Sequence, residues 1–495
     1  MRRALRSAPQ ITAAGFVGFV ALGLVGLAAR PAAAVEWTEI ASSFDEGDEF
    51  DLFMGINYHF EARRGAIKRE LSGAPNTGSA NGATPVVKDL QFMEDRHTVT
   101  PWAKLGVFHD VQLGFSMPII ISLSRSLDFD QTADPCIFPN PQTAATCINR
   151  TNSSTIIDRL LPDGSSGGLG YDADDPDTGF GMDSKTVFRS VGRKGLDQVN
   201  FSLSWAPMNQ ARDDTKPTWV LEAEVRVSVG KIMKFNRTDP GSEDGVSRGV
   251  HELRLSTAVS KRTRWAEPYV QFWWMGPIGV RGEKPADADG SLYWDVGFGQ
   301  RNNRVQSQAG TQFGFEAIVF DKKKSQERFT LEFTGILQAH FNGKGYSEMW
   351  EPFAFAGDAR NNPSGPLVVD PDPTSGTDMP ISHPGVTMIE NYMTFGGRFG
   401  LHAQLGEHVQ LGASFELGRD QTHAISYTDA GIDLPTCGSG QSGTMPCETA
   451  EDLLVTDGTV EVDPLHKQII DIPGRRYLVD GITSYGVMIQ GVILF

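Results

Sequence analysis

The sequence predicts an all-β protein, a closed antiparallel transmembrane β-barrel of about 12 strands. Three observations carry that expectation. Segments of period-two alternation recur up to the last residue, the connections between them are by turns short and long, and apolar residues make up only 40% of 495 residues. A barrel accounts for the modest hydrophobicity, because every second strand residue faces a polar interior.

The N-terminus precedes the pattern. Arg2, Arg3 and Arg6 lead into an apolar run from Ala13 to Ala29, and Ala32-Ala33-Ala34 supplies small residues for cleavage before Val35. Residues 1–34 therefore read as a secretory signal. The alternative, a retained membrane helix, has a run that is marginal for spanning. Residues 35–48 read as a short periplasmic N-terminal segment and 49–495 as the barrel.

The first strand, 49–62, places Phe50, Leu52, Met54, Ile56, Tyr58 and Phe60 on one face and Asp51, Asn57, His59 and Glu61 on the other. The second, 97–107, sets Val99, Ala103, Leu105 and Val107 outside against Thr100 and Lys104. Phe108-His109-Asp110 then turns the chain into Val111, Leu113, Phe115, Met117, Ile119 and Ile121. Pro101 and Pro118 each remove a ladder donor, so a bulge or shorter strands are expected there.

The fourth strand sets Val199, Phe201, Leu203 and Trp205 against Asn200, Ser202 and Ser204. In the fifth, Trp219, Leu221, Ala223, Val225 and Val227 oppose Glu222, Glu224 and Arg226. Leu253, Leu255 and Val259 oppose Glu252, Arg254 and Ser256 in the sixth, and the seventh, near 267–276, is aromatic on both faces. Phe313, Phe315, Ala317 and Val319 oppose Gln312, Gly314 and Glu316. After Lys322-Lys323-Lys324, Phe329, Leu331, Phe333, Leu337 and Phe341 oppose Thr330, Glu332, Thr334, Gln338 and His340.

The tenth strand sets Phe395, Phe399, Leu401, Ala403 and Leu405 against Thr394, Arg398, His402 and Gln404. Gly406-Glu407-His408 reverses it into Val409, Leu411, Ala413, Phe415 and Leu417 against Gln410, Gly412, Ser414 and Glu416. The last strand, Ser484 to Phe495, carries Tyr485, Val487, Ile489, Gly491, Ile493 and Phe495 on one face. Alternation of this length is a strand signal and not a helical one.

The chain resembles bacterial outer-membrane β-barrels, which commonly end in a strand with a C-terminal Phe that serves as an assembly signal, here Phe495. It departs from them at Gln490, where their signal has its glycine, one place before Gly491. The resemblance implies outer-membrane localisation in a Gram-negative cell, with lipid, lipopolysaccharide and the barrel assembly machinery as partners. It also implies that the joins after even-numbered strands are periplasmic turns and the others extracellular loops. Trp205, Trp219, Trp265 and Phe495 then fall on a periplasmic aromatic girdle, and Tyr58, Phe60, Trp274, Phe341 and Tyr485 on an outer one.

The inward face is polar and of mixed sign. Its carboxylates are Asp51, Glu61, Glu222, Glu224, Glu252, Glu316, Glu332 and Glu416; Lys104, Arg226, Arg254 and Arg398 are the counter-charges, and His402 joins them. Inward glycines, among them Gly55, Gly106, Gly114, Gly314, Gly396, Gly400 and Gly412, leave room between side chains. This favours a porin-like, water-filled channel for ions or small polar solutes with mild cation preference, against an interior filled by ion pairs. A surface-loop adhesin or receptor is the competing binding function.

Cys136 with Cys147 and Cys437 with Cys447 form two close pairs in polar loops, which in an exported protein read as local disulfides. Their spacing does not suit a four-cysteine zinc site. Asp172, Asp174, Asp175, Asp177 and Asp183, like Asp370 and Asp372, are interrupted by Pro and Gly and lack a closing Glu, so they read as solvated acidic surface. No cofactor is expected. An enzymatic role is not expected either: none of the ten histidines is followed two places on by Ser, the dyad of outer-membrane phospholipases, and His423 with Ser426 has the wrong offset. An omptin-like Asp and His pair assembled from separate loops would leave no local motif. A net charge of −17 speaks against nucleic acid.

Overall fold

In the computed structural model the described residues are 35, 37–45, 48–70, 86–130, 148–165, 167–281, 305–322, 324–369, 380, 382–427 and 467–495. The expected signal (1–34), the four cysteines, Asp370 and Asp372 lie outside them.

Twelve antiparallel strands close on themselves. They are β1 (Leu52–Glu70), β2 (Val86–Phe108), β3 (Val111–Ser116 continued by Ile119–Phe129), β4 (Gln198–Met208), β5 (Thr218–Ser228) and β6 (Val250–Ser260). The second half is β7 (Ala266–Val280), β8 (Gln308–Lys322), β9 (Glu327–His340), β10 (Tyr392–Leu405), β11 (Val409–Asp420) and β12 (Tyr477–Leu494). Each strand pairs with its sequence neighbours, and β12 closes the ring on β1 from Leu494↔Phe53 to Tyr477↔Arg69. Closure leaves no strand edge unpaired, as a bilayer with no water to satisfy backbone groups requires.

Even-numbered strands are followed by short turns, of which 109–110 and 406–408 are the tightest; odd-numbered strands are followed by long loops. The two prolines meet at one irregularity. β3 breaks at Met117-Pro118, directly across from Pro101, and the Met117 amide donates to the Pro101 carbonyl at 3.1 Å. β2 runs through Pro101 without interruption, so one break in the neighbouring strand accommodates both missing donors.

The outer surface is an apolar belt. Met54, Ile56, Phe115, Phe201, Leu203 and Phe313 are exposed on it, as are Trp205 and Phe495 at the short-turn side and Trp274 and Tyr485 at the other. Several strands extend beyond their expected limits at the long-loop end, β1 to Glu70 and β2 back to Val86. There the hydropathy pattern inverts: Arg64 and Lys68 point outward, while Ile67 of β1 and Leu90 and Phe92 of β2 point inward and are buried.

Those inward residues form the floor of a cap. The loops after β3, β9 and β11 fold over the mouth and contribute three helices: α1 (Ser154–Ile157), α2 (Trp350–Ala356) and α3 (Gln468–Asp471). Their apolar side chains, including Leu160, Leu169, Phe353 and Ile470, join the strand extensions in one buried cluster. Asp89 of β2 accepts the backbone amides of Ser154 and Thr155, both at 3.0 Å, and so satisfies the start of α1. The main apolar core of this molecule therefore lies above the membrane-spanning wall.

Candidate functional site

Below the cap the barrel encloses a cavity of about 280 Å³. Its wall comes from inward positions of most strands. Glu222 and Glu224 of β5, Arg254 of β6, Glu316 of β8 and His402 of β10 face it, as does Lys104 of β2. Tryptophan enters as well: Trp102 lies across Gly55, where an added Cβ would meet its ring at 2.5 Å, and its Nε1 donates to Asn57 Oδ1 at 3.0 Å. Gly412 likewise makes room for Gln490, whose Cγ would lie 2.7 Å from a Cβ there. That packing gives Gln490 a physical role: it borders the cavity, and the neighbouring strand supplies the glycine.

Most inward charges of the barrel, on the cavity wall and beyond it, are matched. Arg226 donates to Glu224 at 2.6 Å, Arg254 lies 3.9 Å from Glu222, and Arg398 donates to Glu416 at 2.5 Å. Glu332 accepts from Tyr269 at 2.6 Å, lies 3.1 Å from His402 Nε2 and 3.9 Å from Arg398. Arg328 stands between Glu316, at 3.7 Å, and Glu267, at 3.6 Å. Nearer the cap, Glu252 receives both bonds of Arg248 at 2.8 Å, and Glu61 lies 4.0 Å from Arg96. Lys104 faces the Trp102 ring at 5.5 Å.

The periplasmic end is closed by the chain's own N-terminal segment. Of the segment 35–48, expected only as a short periplasmic stretch, residues 35 and 37–45 fold into the short-turn end of the lumen. Val35 N donates to Glu267 at 3.3 Å, Thr38 meets Ser260 at 2.8 Å, and the Ala41 amide donates to Gln112 Oε1 at 2.8 Å. Asp51 accepts the Ser42 amide at 2.8 Å, Ile40 packs on Ala206 and Val220, and the Trp37 ring sits 5.6 Å from the Arg398 guanidinium.

Sequence reasoning missed Trp102, Gln271, Glu267 and Arg328. Trp102 shares the parity of Lys104, so the alternation already marks it as inward. Glu267 and Gln271 lie on β7, whose rings on both faces mask the pattern, and Arg328 precedes the apparent start of β9. Trp37 and Glu39 reach the cavity from outside the strands, and no periodic signal marks them.

A closed antiparallel barrel, an apolar outer belt and short turns confined to one end decide the fold. The chain has the fold of a bacterial outer-membrane β-barrel. Its apolar belt is the surface that a membrane-spanning barrel wall presents to lipid. No family model matches the barrel, and no characterised relative does. Among solved structures it is similar to an outer-membrane channel from Pseudomonas putida F1, at 8% identity over 94% of this chain and 100% of that one, with a TM-score of 0.38. A Pseudomonas aeruginosa FadL homologue aligns at 9% identity over 90% of each chain, with a TM-score of 0.26. The outer-membrane protease OmpT from Escherichia coli aligns at 7% identity over 90% of this chain and 98% of its own, also with 0.26.

Proposed function

We propose that the barrel is a porin-like passive conduit for ions and small polar solutes, with a mild cation preference and no catalytic step. The polar cavity inside the wall carries this reading. Four carboxylates (Glu39, Glu222, Glu224, Glu316) border it against three permanent cations (Lys104, Arg254, Arg328), an imbalance too small for strong selectivity. The N-terminal segment acts as a stopper at the periplasmic end, and conduction requires it to yield. Phe495 is the signal read by the assembly machinery, and residues 1–34 are removed on export.

The packed cap favours a second reading, a receptor barrel whose loops present a fixed surface. Planar-bilayer recording of refolded protein separates the two. Current steps with a weakly cation-selective reversal potential support the conduit, and silence at every voltage overturns it.

A further inference from the structure

We propose that the mid-lumen cavity is a binding site for a small, neutral, polyhydroxylated solute of the size of one sugar ring. This rests on the conduit reading and names its substrate class. The first observation is that acceptors stand ready without donors. Asn200 and Gln271 border the cavity, are only 7% and 3% exposed, and their carbonyl oxygens have no hydrogen-bond partner among the described residues. Gln490 Oε1, on the opposite side of the ring, is in the same condition. Buried polar atoms are nearly always paired, so three such oxygens on side chains that line one space point to a guest that donates.

Charge decides between kinds of donor. A cationic guest needs a carboxylate not already committed, yet Glu222, Glu224 and Glu316 each face an arginine of the wall, and Glu39 accepts from Gln410 at 3.1 Å. An anionic guest would enter a space in which four carboxylates outnumber the three cations Lys104, Arg254 and Arg328. A neutral guest with several hydroxyls donates to the amide oxygens and accepts from amide or hydroxyl groups without disturbing the ion pairs.

The ring of Trp102 supplies the remaining element. Its Nε1 is tethered to Asn57 and its ring is seated against Gly55, so it is a fixed apolar surface on the wall that the amides share. An aromatic face next to planar amide donors and acceptors matches a sugar ring, which has C–H faces and a hydroxyl rim. The cavity lies at the small end of ligand pockets, which excludes an extended chain.

The test is tryptophan fluorescence of the full barrel in detergent, titrated with glucose, choline chloride or sodium acetate. Glucose is expected to give a saturable change that the two salts do not give. The change should be lost in Trp102→Phe, and in Gln271→Leu it should need roughly tenfold more glucose, the cost of about one hydrogen bond. Heat-modifiable migration on gels verifies that each variant is a folded barrel, and Asn200→Leu provides an independent second variant. No saturable response to glucose, an equal response in the folded amide variants, or a stronger response to choline overturns the proposal. Because the signal does not require current, failure of this site is distinguishable from failure of the conduit.

Discussion

A Cβ built on Gly106 would stand 2.5 Å from the carbonyl carbon of Ser42, so this glycine is the seat on which the N-terminal segment rests. The fit is two-sided, because Ser43 Oγ donates to the Gly106 carbonyl at 2.6 Å and the Gly106 amide donates to Asp51 at 3.0 Å. Backbone lies against backbone here, and no side-chain rotation can relieve a clash. Gly106→Val is therefore expected to displace the segment while leaving the strand paired, at a cost of about 1–3 kcal/mol. Single-channel conductance should rise, and a probe at residue 38 should become accessible from the short-turn side. Unchanged conductance together with an accessible probe would show that the segment is not the constriction.

The carboxylates of β5 and β8 make a separate prediction about ions. Glu222 accepts from Ser204 at 3.0 Å and Glu316 from Thr330 at 2.9 Å, bonds that a glutamine can largely retain. Changing Glu222, Glu224 and Glu316 together to Gln removes charge with little change of shape. The reversal potential in a salt gradient should then move from weakly cation-selective toward anion-selective. If it stays where it was, these side chains do not border the path that ions take.

The membrane-spanning wall was legible because lipid on one side and polar groups on the other impose a single strict period. Each inward glutamate of β5 and β8 followed from counting by two. The same rule failed where its physical cause ended. Past Ala62 the outer face of β1 carries Arg64 and Lys68 and Ile67 points inward to the cap core, so a search for outward apolar residues stops short. Trp37 was invisible for another reason: it is placed by the segment's return into the lumen, a tertiary event with no local pattern. Gln490 departs from the resembled signal, and Gly412 of the neighbouring strand leaves the room that its side chain takes.

A buried ion pair ties the cap together. Arg193, in the loop after β3, donates to Glu351 of α2 at 2.6 Å, and both side chains are almost wholly buried. The same guanidinium donates to the carbonyls of Lys234 and Gly245 at 3.0 Å and lies 5.0 Å from the Trp350 ring, so it joins three loops. Glu351→Ala leaves an uncompensated buried cation, a cost of about 3–5 kcal/mol. Amide hydrogen exchange in residues 350–356 should accelerate sharply while the amides of β8 and β9 keep their protection. Loss of protection across the whole barrel would mean instead that cap and wall unfold as one unit.

Acid should loosen the same cap through His383. This imidazole stacks on Tyr427 with centroids 3.8 Å apart, and its Nδ1 accepts the Gly385 amide at 3.0 Å, which requires the neutral ring. Burial holds its pKa well below the ordinary histidine value, and the Lys344 and Lys467 ammonium groups depress it further. Above about pH 6.5 the ring is neutral in both the folded and the unfolded cap, and its stabilising contribution is complete. Below that pH the unfolded loop takes up a proton that the folded one refuses, so stability falls with pH until the depressed folded value is reached. Limited proteolysis within residues 382–391 is accordingly expected to be faster at about pH 5 than at about pH 7.5, and His383→Phe should flatten the difference. An equal pH dependence in that variant would assign the effect to another group.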